Sequence, residues 1–316
     1  MNETKDVRNT VLGNATHVAM IGPVQARRGR DPQRCMDYFR DVHGMIGARV
    51  PGFYCYWQHH FGPAEGNVFP KLAGISDAPD AADQFDAIAH IVHRSEDERL
   101  SGAKRGDDKV AGLVGVDEQN PFEATYVHFT TAGNSVTFTD RLADWRRSGE
   151  TTYPKFFAFM GKRSGQTAGD FHDALRSEVA PAWAKSDDLA KLRLNLLEDY
   201  DASAWTTPNV DHERAEDKRY NAVIEMAFDT PLAQAAFFAS DAYRGTEDRQ
   251  RALIATRHAF PERAQYAYLF EGEPTLVAKR GYPAAALIEE FGAANQLPDE
   301  VTALVTPPFD PNRFEE

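Results

Sequence analysis

The 316-residue chain is poor in cysteine, in net positive charge and in long apolar runs. Its two cysteines, Cys35 and Cys55, are too few for a disulfide framework. The formal net charge of −13 argues against nucleic acid and against an anionic membrane surface, because both require a basic face. No apolar run approaches the length of a membrane span. The first fourteen residues are polar and mixed in charge, unlike a signal peptide, so a soluble, cytoplasmic protein is expected. Walker loops, dinucleotide fingerprints and the His-Glu-x-x-His zinc motif are all missing.

What the chain does contain is a copy of itself. Residues 18–43 fall on residues 154–179 without a gap, aligning Arg27 with Arg163, Gly29 with Gly165, Asp37 with Asp173 and Arg40 with Arg176. The segment beginning at Asp86 continues the match onto Asn221 at a spacing of 135, and Ala124 falls on Ala264 at a spacing of 140. A period this long is that of a small domain, not of a solenoid repeat. Each copy reads β-α-β-β-α-β. Asp31-Pro32 opens a helix, Pro51-Gly52 turns the chain, and residues 53–61 are too aromatic and too short for a helix and form a strand. In the second copy, strands are expected over 155–160, 192–197, 220–228 and 265–270, with a helix over 168–184. Residues 140–147 read as a helical linker, and the segment after residue 283 as one helix and a Pro-rich tail.

The expected fold class is therefore α+β: two tandem ferredoxin-like repeats, their sheets packed into an intramolecular, pseudo-dimeric α+β barrel. The expected divisions are 16–135, 150–275 for a degenerate second repeat, and 276–316 for a C-terminal helix and extended tail.

Seven of ten histidines lie in copy one, and the repeat sets His43 against Val179, His90 against Glu225 and His128 against Tyr268. One site kept and one lost explains this asymmetry. Alternation along residues 53–61 puts Tyr54, Tyr56, Gln58 and His60 on one face, which is assigned to the cavity between the sheets. Phe53, Cys55, Trp57, His59 and Phe61 take the other face, and His59, His93 and His17 read as surface residues.

At Tyr38-Phe-Arg-Asp-Val-His43-Gly, Val50-Pro51-Gly52, Tyr56-Trp-Gln58-His-His60 and Asp86-Ala-Ile-Ala, copy one resembles the EthD family of the dimeric α+β-barrel superfamily. That family shows an aromatic-rich helix ending in histidine, a Pro-Gly turn, and Tyr, Gln and His alternating on a strand. Met45 stands where proline is common, and residues 62–84 are an insertion. The resemblance implies paired sheets with a pocket. The superfamily spans cofactor-free monooxygenases, dehydratases, isomerases, cyclases and haem enzymes, so the fold leaves the reaction open.

Histidine carries protons near neutral pH, and a tyrosine or amide beside it holds an oxygen where charge develops. The expected catalytic residues are His43, His60 and His90. Tyr54, Tyr56, Gln58, Asp86, Tyr126 and His128 are the expected substrate-binding residues. His43 on an apolar face also fits a core histidine bonded to a carbonyl, and Asp86 a turn cap. The expected activity is a cofactor-independent lyase or dehydratase acting on an aromatic or hydrophobic metabolite. The alternatives are a monooxygenase, cofactor-free or haem-dependent, and a non-catalytic small-molecule binding module. No metal is expected, although His60, His90 and His128 could be brought together across strands. The expected partner is a small molecule, with a homodimer compatible.

Overall fold

The computed structural model describes residues 16–104 and 109–305. The N-terminal segment and the Pro-rich tail from residue 306 lie outside the described residues. Strand β1 (Val18–Ala26) leads to helix α1 (Pro32–Tyr38), whose N-cap Asp31 accepts from Arg34 N and which has Pro32 in its first turn. The helix widens into a π turn, Phe39–His43, and ends as α2 (Gly44–Gly47). Strands β2 (Cys55–Phe61) and β3 (Ala87–His93) follow, then α3 (Glu96–Lys104) and α4 (Lys109–Glu118). The fourth strand of this unit is broken into β4 (Phe122–Thr125), β5 (His128–Phe129) and β6 (Ser135–Asp140).

After the short β7 (Gly149–Glu150), the second unit repeats the plan with β8 (Lys155–Lys162) and α5 (Ala168–Ala174). A π turn, Leu175–Val179, leads to α6 (Ala180–Trp183), β9 (Leu189–Leu196) and β10 (Ala222–Phe228). Next come α7 (Pro231–Ala239), α8 (Asp241–Arg244), α9 (Glu247–Leu253) and the long β11 (Ile254–Phe270). β12 (Glu273–Pro274), α10 (Leu276–Arg280), α11 (Tyr282–Glu290) and α12 (Asp299–Val305) complete the described chain. The helix pair and its π turn recur at the spacing of 136 that the sequence shows. The expected helical linker over 140–147 is instead the end of β6 followed by turns.

Both units have the ferredoxin-like strand order. In the first, β4-β1-β3-β2 lie side by side; in the second, β11-β8-β10-β9 do. β11 pairs with β8 over its first half and crosses to β2 over its second. Unit one does the same at the opposite seam: β4 and β5 pair with β1, and β6 pairs with β9. Each unit thus lends the end of its fourth strand to the other, and the sheet closes into one barrel. An apolar cluster inside it joins Phe61, Phe85 and Ile88 of unit one to Phe157, Phe159, Val223 and Phe260 of unit two.

Register corrects one part of the repeat alignment. Ile21 faces both His90 and His128, and its equivalent Phe157 faces Glu225 and Phe260. His90 therefore does correspond to Glu225, whereas His128 corresponds to Phe260, not Tyr268. The spacing of 140 had matched the wrong half of β11.

Candidate active site

Every residue of β2 is buried, on both faces. The face bearing Tyr56, Gln58 and His60 is turned to the helices, not to the space between the sheets, and the expectation from alternation is corrected here. Gln58 Nε2 donates to Phe39 O and to Tyr56 Oη, both at 2.8 Å. Gln58 Oε1 lies 3.1 Å from His60 Nε2 and can only accept, so His60 carries its proton on Nε2. Its Nδ1 keeps a lone pair and has no protein partner among the described residues. The His60 ring stacks on Phe39 at 5.6 Å and meets the edge of Tyr266 at 5.0 Å. Behind it, Tyr56 stacks on Tyr268 at 5.0 Å, and Tyr268 Oη donates to Arg40 O at 2.5 Å. Gly44 makes this approach possible, because a Cβ there would collide with the Tyr268 ring.

In front of His60 opens a cleft of about 600 Å³, walled by Met36, Arg40, Asp86, Glu150 and Tyr266 among others. Arg40 is held by Asp41 (2.9 Å to Nε) and by Asp37 (3.4 Å), and its guanidinium lies over Tyr266 and Tyr282 at 5.5 and 5.3 Å. Burial, then the Arg40 charge, pushes His60 down to about 3, so its imidazole is neutral at ordinary pH. Burial raises the Asp86 carboxyl, although its bond from Ala26 N at 2.7 Å opposes this. Burial also raises the Tyr266 phenol.

The remaining expected site residues lie elsewhere. His43 Nδ1 is 3.0 Å from Asp117 of α4, and its ring packs on Phe39 and Phe122. Phe39 stands between it and His60. His90 is inside the barrel beside Trp57 and His59. His59 is not a surface residue either: it is buried in the barrel, with Nδ1 at 2.6 Å from Glu262. His93 and His17 are also buried, His93 against Gly52 O. Tyr126 belongs to the interior apolar cluster, and His128 packs on Tyr200 at 4.9 Å. Tyr54 sits at the barrel end between His17 and Arg94. Of the nine expected residues, the helix-side cleft gathers His60 and Asp86, with Gln58 and Tyr56 supporting from behind.

A larger open cleft, about 850 Å³, lies in unit two around Lys162, Tyr200, Arg219 and Asn221. In unit two the residues equivalent to Tyr56, Gln58 and His60 are Leu192, Leu194 and Leu196, as the matched registers show. There Leu192, Leu194 and Leu196 are part of the unit-two apolar core. Phe69, from the insertion 62–84, packs on Phe156, Trp183, Phe238 and Tyr243. Arg257 locks it in place, over the Phe69 ring at 4.2 Å and bonded to Asp77 and Pro70 O.

Sequence reasoning missed Arg40 and Tyr266. Arg40 carried a signal, being one of four identities between the copies. Tyr266 is on a unit-two strand yet serves unit one.

Among the described residues, no group of three or more His, Cys, Asp or Glu side chains is placed to hold a metal ion. His60, His90 and His128 are divided between the two faces of the sheet. Two of the expected histidines are engaged by protein neighbours. The His43 ring is packed between Phe39 and Phe122, and His60 commits Nε2 to Gln58.

No family model matches the chain, and no curated protein does. Solved structures of similar shape include a candidate monooxygenase of Fusobacterium nucleatum (TM-score 0.48, 6% identity, covering 83% of this chain and 96% of that one). An anthrone oxidase-like protein gives TM-score 0.48 at 12% identity, covering 80% and 95%. A dye-decolorizing protein from V. cholerae gives 0.40 at 8%, covering 79% and 94%. At these values the likenesses assign no reaction to this chain.

Proposed function

We propose that the unit-one cleft is the active site of a small-molecule enzyme working by proton transfer, and that its reaction is a lyase or dehydratase step on an aromatic or hydrophobic metabolite. One observation carries this reading: Gln58 fixes His60 as the Nε2–H tautomer, leaving the Nδ1 lone pair beside Arg40 and Tyr266. A base, a cation and a phenol then converge on one aromatic-walled cleft. His60 Nδ1 takes the proton from carbon next to a carbonyl, and the electron pair moves toward the leaving oxygen. Arg40 and Tyr266 hold the carbonyl oxygen as negative charge grows on it. The C–O bond breaks as Asp86, whose protonated form burial favours, gives the departing hydroxyl its proton and water leaves. Arg40 depresses His60 in the empty cleft; a substrate oxygen that becomes negative beside Arg40 offsets that field and strengthens the base as the reaction proceeds.

The test is to incubate the protein with aromatic β-hydroxy carbonyl compounds and follow mass. Loss of one water, abolished in His60→Ala, supports the proposal. Oxygen consumed in step with turnover would make the protein an oxygenase, and release of every ligand unchanged would make it a binding module.

A further inference from the structure

The barrel interior holds a second polar site, which meets the cleft at Glu262. Three cations and three carboxylates are buried there. Lys155 Nζ lies 3.3 Å from Asp144 and 3.2 Å from both Glu225 and Glu262, and Lys191 Nζ lies 2.7 Å from Asp144 and 3.1 Å from Glu225. The three carboxylates are thus engaged by the two lysines. Arg193 is not engaged. It is 1% exposed, and no carboxylate among the described residues lies within ion-pair distance of it. Glu225 faces it across the strand pair, but both lysines draw on that carboxylate.

Around Arg193, four atoms able to donate lack a hydrogen-bond partner among the described residues, as do both carboxylate oxygens of Glu225, which the two lysines compensate by charge. Arg193 Nη1, Asn195 Nδ2, Thr137 Oγ1 and His90 Nε2 all lack a hydrogen-bond partner among the described residues, and each residue is more than nine-tenths buried. The Asn195 amide is oriented by its own bonds: Oδ1 accepts from Ser135 Oγ at 2.6 Å and from Arg193 Nε at 3.3 Å, which leaves the NH₂ group facing away from them. Thr137 is the cross-strand neighbour of Arg193. Leaving so many buried polar groups unpaired is costly, and an unpaired buried guanidinium more so. Apolar side chains fill the barrel on either side, with Phe157, Phe159 and Phe260 in one cluster and Cys55, Trp57 and Phe270 in the other.

We propose that the barrel interior binds a small monovalent anion, the size of a halide, between Arg193, Asn195, Thr137 and His90. The interior is otherwise balanced, so the anion enters together with a proton. His90 is the imidazole placed to take it; burial first, then Arg193, His59 and Lys191 facing it, oppose that charge, Glu225 favours it, and the anion offsets them. Binding therefore tightens as pH falls.

Bromide is the probe. Crystals of the full chain grown in sodium bromide should show an anomalous peak within hydrogen-bond distance of Arg193 Nη1 and Asn195 Nδ2. In solution, the thermal midpoint should rise by a few degrees per tenfold increase in bromide, relative to sodium gluconate at equal ionic strength. The rise should be larger at pH 6 than at pH 8 and absent in Arg193→Met. Because Arg193→Met could fail to fold, the wild-type crystal decides on its own. An interior with no anomalous peak, or equal midpoints in the two salts, overturns the proposal.

Discussion

Replacing Gln58 by leucine tests whether the helix-side network is a built site or ordinary packing. Unit two carries leucine at the equivalent position, Leu194, so the fold tolerates that side chain in this setting. In unit one the change strips a partner from three buried groups: Phe39 O, Tyr56 Oη and His60 Nε2. An unsatisfied buried group costs about 1–3 kcal/mol. Two of the three recover in part, since Phe39 O also accepts from Gly44 N and the Tyr56 hydroxyl can rotate. The expected loss is therefore about 2–4 kcal/mol, or roughly 3–6 °C in Tm for a chain of this length, read by urea and thermal unfolding. A second variant isolates the imidazole. Gln58→Glu keeps an acceptor for His60 Nε2 but makes it anionic, which stabilises the imidazolium and should raise His60 from about 3. The ring-proton titration of His60 by NMR reads this directly. If Gln58→Leu stays within about 0.5 kcal/mol of wild type and Gln58→Glu leaves the titration unmoved, Gln58 does not orient His60, and the active-site argument loses its foundation.

Three more outcomes follow from the same geometry. His60→Ala should lower turnover by roughly a hundredfold or more in a folded protein, whereas His43→Ala should spare the chemistry, because Phe39 separates it from the cleft; steady-state kinetics of both variants checks this. Phe69→Ala should cost about 3–5 kcal/mol by opening a cavity beneath Arg257, and a denaturation midpoint within error of wild type would show that the insertion does not help hold unit two's core. Burial holds His60 and His128 at about 3 and His258 at about 4, below an unfolded value near 6.5. Between those limits the unfolded chain binds more protons, so stability should fall as pH drops from about 6.5 toward 4, by up to ~1.4 kcal/mol per pH unit per histidine; urea midpoints that stay flat down to pH 5 would contradict it.

The repeat was legible because each unit needs the same apolar pattern to build the same helix and strands. The spacing of 136 held from β1 through α2, including the π turn, which no local propensity signals. The inward face of β2 was not legible. Alternation separates Trp57 and His59 from Gln58 and His60, but with both faces buried it does not say which one lines the barrel. Polarity misled, since the interior holds Lys155, Lys191, Arg193 and their carboxylates. Tyr266 and the true partner of His128 were hidden for another reason. β11 is one continuous strand of 17 residues that changes sheets at Pro261, and that single proline is the only local sign of the crossing.

The asymmetry between the units bears on function more strongly than the histidine count did. Unit two shows that this scaffold can pack leucine at all three positions that unit one gives to Tyr56, Gln58 and His60. Leucines there need no hydrogen-bond partners and bury apolar area at roughly 25 cal/mol per Å². Unit one instead keeps an amide, a phenol and an imidazole almost wholly buried, and needs a glycine at Gly44 to admit the Tyr268 ring behind them. Stability alone would favour the leucine solution. Unit one also keeps a cleft open in front of His60. A polar arrangement that the fold does not require, facing an open cleft in one unit and replaced by apolar packing in the other, is what retention of a single active site would produce.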